Sequence, residues 1–203
     1  LRRGRSSNLV VHAFAGTARR CGIGVDLLTP FFDSMRTDLH VTEHDAASLE
    51  RYVYGSAEVV GLMCLRAFLT DDRASTGYDD LCPGARRLGA AFQKVNFLRD
   101  LAEDSSVLGR TYFPGVRPEG LTDAQRDVLL DDIDADLDAA AAAIRLLPAS
   151  SRRAVAVAHG LFAELSSRLR VTPAQEIAVR RVSVPTPVKA RVVVRCLVAE
   201  RSR

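Results

Sequence analysis

The chain lacks most of the features that place a sequence quickly. Its four cysteines, Cys21, Cys64, Cys82 and Cys196, form no CxxC pair and have no histidine at zinc-site spacing, which argues against a structural zinc centre. They read as reduced thiols of a cytosolic protein, two of them in the core. A net charge of +3 on 203 residues is too small and too dispersed for a nucleic-acid partner. The basic ends, LRRGRSS and VRCLVAERSR, read as solvated tails. No apolar run approaches ~18 residues, so no transmembrane helix is predicted. No cleavable apolar segment follows the polar start, so no signal peptide is predicted either. Alternation of strand type and internal repeats are missing as well. The histidines, His12, His40, His44 and His159, are scattered and are expected on surfaces or beside helix ends.

What is present is helical periodicity around an apolar fraction of 47%, enough for one sizeable core. Apolar spacing and breakers predict helices over Leu9–Cys21, after Pro30 through FFDSMRTDL, over Asp45–Leu69 and over Pro83–Asp104. A polar loop, DDRASTGYDD, separates the last two. Thr122 and Gln125 form a TxxQ capping box that opens a helix ending at Leu147, before Pro148. Helices follow over Ser150–Arg170, from Pro173 to Arg181, and over Ala190–Arg201 after the breaker segment VSVPTPVK. The expectation is one all-α domain over residues 1–203.

Chemistry concentrates in AFQKVNFLRDLAED, residues 91–104. With Asn96 at zero and ~100° per residue, Gln93 falls at about 60°, Asp100 at about 40°, Asp104 at about 80° and Glu103 at about −20°. Gly89 lies on the same face, leaving space one turn earlier, while Val95, Leu98 and Leu101 lie opposite. Two readings stay open: an acidic face shown to water, or ligands for a hard cation. Carboxylates and amide carbonyls are oxygen donors of the kind magnesium takes, often bridging to phosphate, and Arg99 could reach a phosphate oxygen. A second segment, YVYGSAEVVGLMCLRAF (52–68), is apolar nearly all round from Val59 to Phe68, as a buried helix is. Gly55 and Gly61 inside it each cost roughly 1 kcal/mol against alanine, which fits close packing on a neighbouring helix or on a bulky apolar ligand. Tyr52, Ser56, Val59 and Met63 form a stripe at helical spacing. The run DDIDADLD (131–138) reads as a solvated face.

Taken together, YVYGSAEVVGLM and LGAAFQKVNFLRDLAEDSSVLGRTYFP resemble the two signature regions of the squalene and phytoene synthases, the head-to-head trans-isoprenyl diphosphate synthases. FFDSMRTDL resembles the family's GM-x-MDL region and RRVSVPTPVK a recurrent C-terminal segment, so the resemblance spans nearly the whole chain. It implies an all-α isoprenoid synthase-type bundle around a central cavity. It also implies that Asn96, Asp100 and Asp104 hold magnesium, with manganese as a substitute ion, and that Gln93 and Arg99 contact the substrate diphosphate. Tyr52 would sit in the cavity as an acid/base or cation-stabilising group. GLM and GRTYFP are more similar to phytoene than to squalene synthases, and no nicotinamide-binding feature is recognisable, so NADPH is not expected. Two geranylgeranyl diphosphates would condense through a cyclopropylcarbinyl diphosphate to phytoene. Squalene or hydroxysqualene synthesis from farnesyl diphosphate and a non-catalytic helical module are the alternatives. A cytoplasmic protein in peripheral contact with a membrane surface is expected from such lipophilic products; no oligomeric state is implied.

Several positions depart from the family pattern. A first aspartate-rich motif is expected upstream of the tyrosine segment, and neither Asp26 nor Asp33 fits it. Leu1 is not a methionine, so the first helices are expected to precede it, and residues 1–203 alone are expected to be inactive. Glu58 puts a charge near the cavity helix where the family often has a small residue. The region between Phe113 and Thr122 is short, and Phe162 stands where a tyrosine is frequent. Lys189 and Arg180 are expected near the diphosphate.

Overall fold

Side-chain caps and glycines set most helix limits. The computed structural model describes residues 6–70 and 77–201, so most of the expected loop DDRASTGYDD lies outside the described residues. Helix α1 (Leu9–Arg20) opens on Asn8, whose side chain accepts from the Val10 and Val11 amides, and the chain turns after it at Gly22 with φ +68°, a conformation that favours glycine. Helix α2 (Val25–Thr37) starts earlier than expected and carries Pro30 inside it. Helix α3 (Ala46–Val53) is capped by Asp45, which accepts from the Ser48 amide at 2.7 Å.

The long helix expected from Asp45 to Leu69 is interrupted by a π-helical turn at Tyr54–Glu58 before α4 (Val59–Leu69). Helix α5 (Tyr78–Arg99) is followed at once by α6 (Leu101–Leu108), which ends on left-handed Gly109. The Thr122–Gln125 capping box forms as expected: the Gln125 amide donates to Thr122 Oγ1 at 3.2 Å and the Thr122 amide to Gln125 Oε1 at 3.0 Å. It opens α7 (Asp123–Ile144). Helices α8 (Ala149–Val171), the single turn α9 (Ala174–Ile177) and α10 (Thr186–Arg201) complete the chain. α9 is shorter than expected, and α10 takes in half of the expected breaker segment because Pro187 falls in its first turn, where no amide is needed. Among the described residues the β-type pairing is one isolated parallel bridge, Glu43 to Thr111.

Helix α5 is the axis of the bundle, packed on α7, on α4 and on the π turn, with α8 bridging α7 and α10. Val95, Leu98 and Leu101, the face opposite the acids, are buried. The glycines allow very close approach. A Cβ on Gly61 would lie 2.4 Å from the Ala85 carbonyl oxygen, and one on Gly55 2.3 Å from that of Pro30. Neighbouring backbone, not a ligand, therefore accounts for both. Gly89 leaves no space either: a Cβ there would lie 2.5 Å from the Ala57 carbonyl oxygen. Residues Ala46–Leu69 are long and apolar enough to cross a membrane by length and composition, contrary to the sequence expectation. In the bundle, Val59, Leu62 and Leu65 of this run are buried.

Candidate active site

Residues of α4, the π turn, α5, α7 and α8 line a half-open cavity of about 490 Å³. Its wall is apolar, with Val60, Leu65, Phe68, Leu88, Phe92 and Ile144 among the lining residues, and Ser56 adds a hydroxyl and Gln93 an amide. Phe162 stacks on Phe92 at 3.8 Å between ring centroids, so it closes the wall by packing. Gln93 is the last α5 residue in this lining, one turn before Asn96.

The helix breaks at Asp100 (φ −97°, ψ 8°). The Asp100 amide still donates to Asn96 O at 2.9 Å and the Asp104 amide to Asp100 O at 2.8 Å. Asn96, Asp100 and Asp104 therefore follow one another a turn apart despite the break. Asn96 Oδ1 is buried and has no hydrogen-bond partner, a costly state for a polar atom. Asp100 is in the opposite condition. Arg99 grips it with Nε 2.8 Å from Oδ1 and Nη2 2.5 Å from Oδ2, and Arg181 adds Nε 2.8 Å from Oδ1. Burial, and then the neighbouring Asp100, push the Asp104 carboxyl above its ordinary value, the direction expected for two nearby carboxylates.

Tyr52 is 5% exposed and does not line this apolar cavity; it borders a separate pocket with Asp33, Ser34 and Thr37. Its hydroxyl donates to Asp38 Oδ1 at 2.8 Å, and its ring lies tilted against those of His44, Phe97 and Tyr112. Burial, and then the bond to Asp38, push the hydroxyl well above the ordinary phenol range. The stripe Tyr52–Ser56–Val59–Met63 is split because the π turn shifts the helical register: Ser56 lines the cavity while Val59 and Met63 pack with α1 and α2 residues. Glu58 turns away from the cavity and pairs with Arg86 at 2.6 Å.

Sequence reasoning missed the group around Tyr52. Asp38 also accepts from Arg110, through its carbonyl at 2.7 Å. Arg110 and Tyr112 come from GRTYFP, and the motif's length was the available signal. His44 is buried rather than on a surface, and it lies beside a helix end as the other expectation has it, just before the α3 cap Asp45, with Nδ1 within 3.2 Å of Ser48 Oγ. Arg180 pairs with Glu176.

A profile of the squalene/phytoene synthase family matches residues 2–187. The chain belongs to that family. The phytoene synthase of Mycobacterium tuberculosis is 29% identical over 209 residues, covering 92% of this chain and 66% of that protein. The 15-cis-phytoene synthase of Enterobacter agglomerans is 30% identical over 173 residues, covering 77% and 56%. The crystal structure of a dehydrosqualene synthase in complex with ligand superposes with a TM-score of 0.68 at 20% identity, over 89% of this chain and 66% of that one. The chain thus spans no more than about two thirds of these relatives, and it has their fold, the all-α isoprenoid synthase type expected from the sequence.

Among the described residues no three His, Cys, Asp or Glu side chains converge as a ready metal cage. The donors on this family member's α5–α6 face nevertheless suit magnesium chemically. They are all oxygens, as that ion prefers, and the orphaned Asn96 Oδ1 lacks a partner that a cation would supply. Asp100 would first have to give up guanidinium contacts.

Proposed function

We propose that the protein carrying this chain is a phytoene synthase-like prenyltransferase. It would condense two geranylgeranyl diphosphates head to head, through a cyclopropylcarbinyl diphosphate, to phytoene in carotenoid biosynthesis. The observation that carries this reading is the position of Gln93, which lines an apolar cavity of about 490 Å³. One turn further along α5 stands the unpartnered amide oxygen of Asn96, and beyond it come Arg99, Asp100 and Asp104. A prenyl diphosphate has the same division, a long apolar chain and a highly charged head.

Asn96, Asp100 and Asp104 would hold magnesium, which when bound supplies positive charge to the diphosphate leaving group. Gln93 and Arg99 would orient that head by hydrogen bonds, Arg99 through its planar fork. The aliphatic and aromatic wall keeps water from a carbocation. Tyr52 stands outside that cavity, with its proton held on the hydroxyl by burial and Asp38, so it would act as a neutral phenol and not as a phenolate base. Two carbon–oxygen bonds break and two protons are lost, with no reductant consumed, so NADPH has no role. The reading includes a cytoplasmic location with peripheral contact to a membrane that takes up the product.

The test is product analysis of the complete gene product containing residues 1–203, given C15 or C20 diphosphates and magnesium, with and without NADPH. Phytoene from the C20 substrate without reductant is expected. Product from the C15 substrate alone would reassign it to the squalene or hydroxysqualene type. No product from either would leave a non-catalytic helical module.

A further inference from the structure

Asp100 stands at the junction of α5 and α6 with both carboxylate oxygens taken. Arg99 is its sequence neighbour and holds it from within the helix end. Arg181 is different, because it arrives from the non-helical stretch 178–185 between α9 and α10. Its Nε lies 2.8 Å from Oδ1, the same oxygen that Arg99 Nε holds at 2.8 Å. The Arg181 side chain is 55% exposed and Asp100 20%, so the pair closes over the acidic face from the solvent side. Beyond it, Val184 is buried in the main core and anchors the far end of the stretch. Before it, Arg180 is tied to Glu176 of α9. Arg181 is thus the ionic contact between the middle of this linker and the end of α5, beside the apolar contact of Val182 with the core.

A carboxylate oxygen that already accepts two guanidinium donors has little left for a cation. A divalent ion on the same oxygen also brings like charge against both arginines. Arg99 can swing without disturbing the backbone, being on the same helix. Arg181 leaving Asp100 removes the linker's ionic tie to α5, with Val182 and Val184 still on the core.

We propose that Arg181 is the counter-charge of Asp100 in the metal-free protein and that a divalent cation taking Asp100 displaces it, freeing residues 178–183 from the end of α5. The inference rests on the magnesium-ligand role proposed above for Asp100. Arg181 is then a positioning residue. It satisfies the aspartate when no metal is bound, and it couples metal loading to the order of the α9–α10 linker. Such coupling is reciprocal: whatever holds the linker down weakens the metal, and the metal loosens the linker by the same factor.

The experiment uses the 203-residue chain and two probes: manganese alone, followed by electron paramagnetic resonance, and saturating magnesium, followed by amide hydrogen exchange of residues 178–183. Arg181→Gln should tighten manganese roughly two- to fivefold, the range of an exposed ion pair, and Arg181→Lys should stay near the wild type. In the wild type, magnesium should speed exchange across 178–183. In Arg181→Gln and in Asp100→Asn that stretch should exchange fast already and show no response. Manganese bound equally by wild type and Arg181→Gln, or a linker unmoved by magnesium, overturns the exchange while leaving Asp100 a ligand. Manganese bound by neither protein removes the ligand role and the exchange with it.

Discussion

The Tyr52 hydroxyl donates to Asp38 Oδ1 across 2.8 Å, joining α3 to the end of α2. Arg110 meets the same residue through its carbonyl, at 2.7 Å. Three signature segments, MRTDL, YVYG and GRTYFP, therefore converge on one aspartate. Tyr52→Phe removes the hydroxyl and keeps the ring in its place. It should cost about 1.5 kcal/mol, the low end for a hydrogen bond to a charged group. Asp38→Asn retains an acceptor oxygen and should cost less than Asp38→Ala. Urea unfolding of the three variants gives this order. In the complete enzyme, a Tyr52→Phe protein with unchanged rate and products would confine Tyr52 to packing.

Glycine positions separate close approach from free space. Gly89 faces the Ala57 carbonyl oxygen, 2.5 Å from where a Cβ would stand, whereas nothing lies within 4 Å of one on Gly16. Gly89→Ala should destabilise by about 1–3 kcal/mol through forced backbone separation. Gly16→Ala, in the interior of α1, should stabilise by up to about 1 kcal/mol through helix propensity. Opposite shifts in melting temperature are expected, and a shift of the same sign in both would refute the packing account.

Fold class and most helices were legible because apolar periodicity and breakers carry them. Val95, Leu98 and Leu101 are buried as the helical wheel requires, and the Thr122–Gln125 box forms. The π turn at Tyr54–Glu58 was not legible, since the glycine inside it, Gly55, reads equally well as a close helix contact and no proline marks the register shift. Nor were the partners of charged groups. The spacing puts Asp100 on a face with Asn96 and Asp104, but says nothing of Arg181, which arrives from 81 residues away in sequence. The run DDIDADLD shows the same limit. Its acids are not simply solvated: Asp136 is 1% exposed, and Asp134 accepts from Ser166 and Arg170.

His44 should make stability depend on pH. Burial holds its folded pKa below the ordinary 6.5, against smaller raising effects of Asp38 and Asp45. The unfolded chain therefore binds the proton first. The stability that neutral His44 contributes is complete above about 6.5 and is lost as pH falls through the lower folded value. His44→Phe keeps an aromatic ring between Tyr52 and Tyr112 and removes the titration. Denaturation between pH 7.5 and 5 should show a shallower loss for the variant, and parallel curves would rule the histidine out.

Asp136 is the most enclosed charge of the acidic run. Arg87 Nη1 lies 2.6 Å from one of its oxygens and Lys94 Nζ 2.8 Å from the other, and Lys94 also reaches Asp132 at 2.5 Å. Asp136→Ala leaves Lys94 largely buried with one partner removed and opens a void between α5 and α7. Breaking a buried pair costs about 3–5 kcal/mol. Because Arg87 is well exposed and can rehydrate, the low end, about 3 kcal/mol, is expected. Asp132→Ala, at an exposed acid, should cost under about 1 kcal/mol. Chemical denaturation of the two variants reads the difference directly.

Turnover is expected to need more than this chain supplies. Within its described residues the acids of α5–α6 are one set at one helix end, and no group of three His, Cys, Asp or Glu side chains converges. A diphosphate bound through that set alone would have its charge neutralised from one side only, so its departure would be weakly assisted. Residues 1–203 alone should therefore give no magnesium-dependent release of pyrophosphate from a C15 or C20 prenyl diphosphate. In the complete gene product, Asp100→Asn and Asp104→Asn should each lower kcat/KM by about 100-fold or more, a loss comparable to removing one preorganised electrostatic group. Pyrophosphate release assays on the chain and on the three complete proteins make the comparison. Turnover by the chain alone would show that one set suffices. Near-normal rates in both variants at saturating magnesium would instead return the acidic face to water.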